Sequence, residues 1–363
     1  MSTNRAQPDL KGLFPEELAA AVAPLGAPAF RGRQLFGWMH RRLVTDFAAM
    51  TDLPVELRAR LTAEFRLTAL REASRATAAD GAVRYLFALV DGNTVETVYL
   101  PGPTRNTVCV SSQVGCPFGC TFCATGQSGF TRNLTAAEIV DQVYRVQAEL
   151  TEGRRISNVV YMGMGEPLAN YEQVMRSVRL LIHPLGLNLA QRHVTLSTVG
   201  ITPGIERLAD EGLQVNLAIS LHAPTQSRRE KLVPIAKKYG LTELMAAARR
   251  YVHKTGRKVT FEYTVVPGSN DSDDYARELA ALVRGLQALV NVIPLNPTDG
   301  MPSGLKLSPR ELLAAAERFT VRLTALGVEA ALRRSRGEEV TGACGQLRRR
   351  TMGGLPVQKG EKK

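Results

Sequence analysis

Four of the chain's five cysteines fall within one short stretch, CVSSQVGCPFGCTFCATG, at residues 109–126. Cys116-x-x-x-Cys120-x-x-Cys123 is compact enough to wrap one corner of an iron–sulfur cube, which leaves the fourth iron without a protein ligand and open to a small molecule. The competing reading is a closed zinc site in which Cys109 adds a fourth thiolate. An odd number of cysteines crowded in this way makes a poor disulfide framework, so metal binding or redox chemistry is the better class. The fifth, Cys344, is set in Gly342-Ala-Cys-Gly345. Alone it reads as a small buried hydrophobe; its glycines suggest a loop that moves.

The other residues able to do chemistry are GMGEP at 163–167, Ser197, the run Ser220-Leu221-His222, and LNP at 295–297. What positions them is an alternation of strands and helices from about residue 106. TVCVSS, SNVVYMG, HVTLST, VNLAISL, VTFEYTVV and VNVIPLN are rich in Val, Ile and Thr and apolar on both faces, as buried parallel strands are. Between them lie amphipathic segments with clear starts, such as the capping boxes Thr135-Ala-Ala-Glu138 and Ser308 with Pro309 and Glu311. About six β/α units are present, short of the eight of a closed barrel, so the expectation is a partial (βα)6 barrel over 106–345. The three clustered cysteines follow the first strand and the other residues follow later ones, all at carboxyl ends, where the loops of a parallel sheet converge on one mouth. Each has a plainer alternative: the glycines of GMGEP as a tight turn, His222 as a satisfied core histidine.

Ahead of the barrel, residues 1–75 read as a small basic helical domain and 76–105 as a β-hairpin extension turning at Asp91-Gly92. Residues 346–363 form a basic tail. Glu96, on the second hairpin strand, reads alone as an outward-facing carboxylate. The balance of 46 Lys and Arg against 34 Asp and Glu gives a net charge of +12. The excess is clustered at Arg154-Arg155, Arg228-Arg229, Lys237-Lys238, Arg249-Arg250, Arg333-Arg334 and Arg348 to Arg350. A single such pair reads as a solvated helix face, whereas the summed excess favours a nucleic-acid partner. No apolar run reaches the roughly 18 residues of a membrane span and no leader precedes a cleavage site, so the expectation is a cytoplasmic protein.

Taken together, CVSSQVGC, FCATG, GFTRNL, YMGMGEPL, VTLST, SLHAP, IPLNP and ACGQL resemble the radical S-adenosylmethionine (SAM) RNA adenine C2-methyltransferases, which act on 23S ribosomal RNA and transfer RNA. The likeness spans nearly the whole chain; Thr198-Val199-Gly200 departs from the Thr-Ser-Gly of many relatives, at no catalytic position. It implies a [4Fe-4S] cluster on Cys116, Cys120 and Cys123 and SAM on the open iron. Gly165 and Glu166 would hold the amino end of SAM, Ser197 and Asn296 its ribose or carboxylate, and Ser220, Leu221 and His222 its adenine side. Cys344 would become a methyl-cysteine, from which a 5'-deoxyadenosyl radical takes hydrogen; Glu96 would accept the C2 proton. Cys109 would release the product through a transient disulfide with Cys344. The resemblance further implies an electron donor such as flavodoxin or ferredoxin, and a monomer that needs no membrane. The sister activity at carbon 8 of adenine shares most of these motifs, and an auxiliary cluster on Cys109 and Cys344 is a further alternative.

Overall fold

A computed structural model of the chain describes residues 7–151, 153–296 and 307–333. Helix α1 (Pro15–Val22) begins with a proline in its first turn and two glutamates, Glu16 and Glu17, that suit the positive end of the helix. Helix α2 (Arg31–His40) crosses it at Gly32, where a Cβ would lie 2.2 Å from the Pro15 carbonyl oxygen. With α3 (Val55–Glu64) these helices bury Leu18, Val22, Leu35, Phe36, Met39, Leu57 and Leu61.

Three antiparallel strands follow: β1 (Arg71–Thr77), β2 (Val83–Ala88) and β3 (Thr94–Leu100). The β2–β3 turn falls at the predicted Asp91-Gly92, with Gly92 at φ 81°. β1 starts at Arg71, inside the stretch expected to be helical. Its sequence, REASRAT, alternates between exposed and half-buried along the sheet's edge, so its burial pattern carries little apolar signal.

Strand β4 (Thr107–Cys109) pairs antiparallel with β3. A two-stranded sheet, β5 (Gln113–Gly115) and β6 (Phe130–Asn133), then brackets the clustered cysteines and the short α4 (Ala124–Gln127). From there the chain alternates as predicted: α5 (Ala136–Glu149), β7 (Asn158–Tyr161), α6 (Tyr171–Ile182), β8 (Val194–Thr198), α7 (Thr202–Ala209), β9 (Asn216–Ser220), α8 (Gln226–Leu232), α9 (Leu241–Thr255), β10 (Val259–Val265), α10 (Asp273–Val283), β11 (Ala288–Pro294), α11 (Pro309–Ala325) and β12 (Ala330–Leu332). Both expected capping boxes are made, at Thr135 with Glu138 and at Ser308 with Glu311. The ten-stranded sheet runs β1-β2-β3-β4-β7-β8-β9-β10-β11-β12, parallel from β4 onward. The six predicted strands are β4, β7, β8, β9, β10 and β11, each leading into a helical crossover, so the partial (βα)6 barrel is present. β12 is one parallel strand beyond it.

The helical unit is bolted to this barrel. Lys11, fully buried, donates its ammonium to Asp141 Oδ1 of α5 at 2.6 Å and to the Thr68 carbonyl. His40 Nδ1 lies 2.6 Å from the Tyr144 hydroxyl of α5, and Arg176 of α6 donates to the Gly12 carbonyl at 2.6 Å. Burial, with Lys11 and His183 adding to it, lowers the pKa of His40 from the ordinary 6.5 to about 3. The unfolded chain therefore binds a proton that the folded chain refuses between these values, so this contribution is intact above 6.5 and is lost as pH falls toward 3. By pH 5 the loss is about 2 kcal/mol. Thermal melts between pH 7.5 and 5 should show a falling Tm, and His40→Gln should flatten the slope; equal slopes would show that other groups carry the acid sensitivity.

Candidate active site at the carboxyl ends of the strands

Because the ten-stranded sheet is parallel from β4 to β12, the carboxyl ends of those strands share one rim, and the sequence-predicted residues of the barrel lie at or just beyond those ends. The cysteine loop is shaped by its own backbone. Cys116 N–H donates to the Gly129 carbonyl at 3.0 Å, Cys123 N–H to the Cys120 carbonyl at 3.1 Å, and Thr121 N–H to the Leu232 carbonyl at the end of α8, also at 3.1 Å. Gly119 turns through φ 60°, and a Cβ on Gly126 would sit 3.0 Å from Cys120 N. Cys120 is buried, Cys116 and Cys123 are half-buried, and none is in a disulfide.

Burial pushes the Cys116 thiol up to about 12; the Phe118 backbone N–H opposes the rise, and the Cys123 and Glu166 charges add to it. Cys120 is raised still further, by burial and then by Cys123, Cys116 and Glu166, with only Arg229 opposing. Cys116 and Cys120, both held away from ionisation, become thiolates together only around a strongly positive group. That is the donor set an iron cluster requires. No three His, Cys, Asp or Glu side chains among the described residues converge on a single-ion site. A cluster does not need such convergence, since each iron takes its own thiolate.

Gly163 and Gly165 are fixed by crowding. A Cβ on Gly163 would lie 2.7 Å from the Val110 carbonyl oxygen, and one on Gly165, at φ 98°, would lie 2.5 Å from Gln113 Cβ. Buried Glu166 accepts N–H bonds from Leu168 at 3.0 Å and Val199 at 2.8 Å, tying the end of β7 to that of β8. Burial nevertheless raises its pKa to about 7. Ser197 is half-buried on β8, and Asn296 is half-buried beyond β11. The Ser220 carbonyl accepts from Arg229 at 3.2 Å, and Leu221 N–H donates to the Glu262 carbonyl at 3.0 Å. His222 takes a left-handed φ of 57°, uncommon for a residue with a Cβ. Its Nδ1 accepts from Thr264 N–H at 3.1 Å, its ring stands 4.3 Å from that of Phe122, and burial, then Arg229, lower its pKa to about 3. It is a neutral, bonded imidazole that packs against the cysteine loop.

A second cluster lies at β3 and β4. Cys109 pairs with Val98 across the ladder, so Glu96, two residues along the same face, is its diagonal neighbour. The reading of Glu96 alone as an outward-facing carboxylate is corrected: it is 4% exposed. Burial raises the Cys109 thiol to about 11, with Arg333 opposing and Glu96 contributing. Thus Cys109 answers to Glu96, Arg333 and the Met162 backbone, whereas Cys116 and Cys120 answer to each other, to Cys123 and to Glu166. Cys344 and the tail 346–363 lie outside the described residues.

The pair Arg228-Arg229 also departs from expectation. Arg228 is ion-paired with Glu278 and lies over the Tyr275 ring, and Arg229 is fully buried. Its burial had no signal in the sequence, where it stood beside another arginine in a charged helix. Arg250 is paired with Glu206, whereas Arg33 and Arg41 on the helical unit and Arg154 and Arg155 are exposed.

A six-unit parallel barrel with three clustered thiols at its rim defines the class of radical SAM enzymes, and the Radical SAM superfamily model matches residues 110–280. The model of the ribosomal RNA large subunit methyltransferase N-terminal domain matches residues 8–67. The chain is 51% identical to the probable dual-specificity RNA methyltransferase RlmN of Moorella thermoacetica, over 94% of this chain and 97% of that one. It is 47% identical to a protein of the same name from Thermus thermophilus, over 96% and 95% of the two chains. The crystal structure of a radical SAM methyltransferase from Sphaerobacter thermophilus superposes with a TM-score of 0.87 at 48% identity, covering 93% of this chain and 98% of that one. The chain belongs to the RlmN family of radical SAM RNA methyltransferases. Its cofactors are accordingly a [4Fe-4S] cluster and SAM, and its substrate is RNA. No helix among the described residues is long and apolar enough to cross a membrane.

Proposed function

We propose that the chain methylates carbon 2 of an adenine in 23S ribosomal RNA and of an adenine next to the anticodon in transfer RNA. The observation that supports this reading is that buried Glu96 lies diagonally across the ladder from Cys109, which ends β4, the strand that leads into the cysteine loop. Carbon 2 of adenine has no lone pair and cannot attack a SAM methyl directly, so a radical route with a protein-held methyl group is required. Bound at Cys116, Cys120 and Cys123, the cluster and SAM supply one-electron cleavage of SAM.

The chain's own residues do the rest. Gly165 and Glu166 hold the amino end of SAM, Ser197 and Asn296 its ribose or carboxylate, and the backbone of Ser220 to His222 its adenine side. Cys344 carries the methyl group to the base. Glu96, shielded from water, takes the proton from carbon 2, and Cys109 frees the product by attacking the Cys344 sulfur. The exposed Arg33 and Arg41 of the helical unit offer phosphate contacts. A flavodoxin or ferredoxin as electron donor, a monomeric state and a cytoplasmic location belong to the same reading.

The test is mass spectrometry of ribosomal and transfer RNA from cells lacking the gene. Loss of 2-methyladenosine from both RNAs, restored by the intact gene, is the expected result. Loss of an 8-methyl product, or no loss, overturns the assignment.

A further inference from the structure

Arg229 is a cation in an unusual position. Its side chain is fully buried on α8. One terminal nitrogen, Nη2, donates to the Val199 carbonyl at 2.5 Å and the Ser220 carbonyl at 3.2 Å, spanning the ends of β8 and β9. Its Nε and Nη1, also buried, have no hydrogen-bond partner, and no carboxylate forms an ion pair with it among the described residues. A buried guanidinium with two unpartnered nitrogens, three N–H groups in all, is expensive unless an anion completes it. The elements around it bring the cysteine loop close. α8 is joined to the cysteine loop by the bond from Thr121 N–H to the Leu232 carbonyl. Cys120 is the one acid whose charge favours the charged form of Arg229. Next to it, Gly200 at φ 104° would bring a Cβ within 3.2 Å of Nη2, so the guanidinium has no slack on that side.

We propose that Arg229 is a positioning residue whose buried charge and unused N–H groups complete the anionic, thiolate-bound cluster and favour its reduced form. This rests on the assignment of Cys116, Cys120 and Cys123 as the cluster's ligands. Reduction adds negative charge to a group that is already anionic. A fixed cation beside it therefore stabilises the reduced state, and removing the cation makes reduction harder.

The test is redox titration of the reconstituted full chain without SAM. Arg229→Gln, which can still donate to one of the two strand-end carbonyls, should shift the one-electron reduction equilibrium at least tenfold toward the oxidised form, about 59 mV more negative. Arg229→Lys, which keeps the charge and loses the fork, should stay within threefold of the unsubstituted chain. A purely structural clamp would give no such separation of the two variants. A second readout needs no stable glutamine variant: with 15N-labelled arginine, pulsed EPR of the reduced cluster should show a nitrogen coupling that disappears in Arg229→Lys.

An unshifted potential in a folded, iron-loaded Arg229→Gln chain overturns the proposal, as does an absent arginine coupling. A fall in SAM affinity alone, with the SAM-free potential unchanged, also overturns it and gives the cation to the SAM carboxylate instead. An unsubstituted chain that takes up no iron overturns the cluster assignment itself, so the two failures are distinguishable.

Discussion

Alanine at any one of Cys116, Cys120 or Cys123 is expected to yield a folded chain with little iron and no detectable cleavage of SAM, a loss on the order of a thousandfold or more. A cluster held by three thiolates has no spare ligand, and its binding energy depends on all of them at once. The fold should survive because the loop lies between β5 and β6, outside the ten-stranded sheet that forms the core. Of the three thiols only Cys120 is buried, and losing one small buried side chain costs about 1 kcal/mol. Iron per chain, circular dichroism and formation of 5'-deoxyadenosine, measured on the same preparations, separate loss of cluster from loss of fold. One fully active variant among the three would sink the assignment.

The second large effect distinguishes two thiols that are far apart in sequence. Cys109→Ala should accumulate protein covalently joined to RNA, whereas Cys344→Ala should stay unmethylated and carry none. On the proposed reading, the methylene radical on the Cys344 sulfur bonds to carbon 2, and the adduct gives one electron back to the redox chain that started the reaction and one proton to Glu96; a carbon–sulfur bond would then still tether enzyme to substrate. The Cys109 thiolate would attack the Cys344 sulfur to form the disulfide, and the electron pair of the broken bond would stay on the carbon, which picks up a proton to become the methyl group. Such an attack brings the two Cα atoms to roughly 4.4–6.8 Å. The chain can deliver this. Arg333, whose charge acts on Cys109, precedes Cys344 by 11 residues, and an extended span of that length reaches about 36 Å. Intact mass with and without nuclease reads the result. Normal turnover by Cys109→Ala, or RNA on neither variant, would return Cys109 to the role of a buried strand residue.

The alternation of Val, Ile and Thr runs with capped amphipathic helices was enough to read six strands and their order, because strands covered on both faces leave few positions free to be polar. β12 was not legible: Ala330–Leu332 is three residues with more alanine than any strand signal, and it exists because β11 offers an open edge. β1 was hidden by its charges, and β5 and β6 by their brevity. At the site, spacing alone exposed Cys116, Cys120 and Cys123, since covalent neighbours along a loop are also spatial neighbours. Burial is another matter. That Glu96 faces inward and Arg229 is wholly enclosed depends on which strand or loop covers them, a tertiary fact that leaves no mark on their local sequence. His222 illustrates the middle case: its place at a strand end was readable, its bonds to Thr264 and its contact with Phe122 were not.

The Lys11–Asp141 pair carries a consequence for how RNA is chosen. An ammonium and a carboxylate sealed at about 1% exposure, with His40 and Tyr144 bonded nearby, do not part without a large penalty. The helical unit therefore works as a fixed gauge mounted on the barrel, with the span between its exposed arginines and the strand-end rim set before any substrate arrives. Between the described residues of the helical unit and the barrel no ordering entropy remains to be spent when RNA docks, so the adjustment across that span falls to the nucleic acid. On the proposed function, two RNAs of unrelated sequence would be equivalent to this chain when each can present an unstacked adenine at the same distance from a phosphate ridge. Selection would then work by the substrate's compliance, with base sequence away from the target read only so far as it alters that compliance.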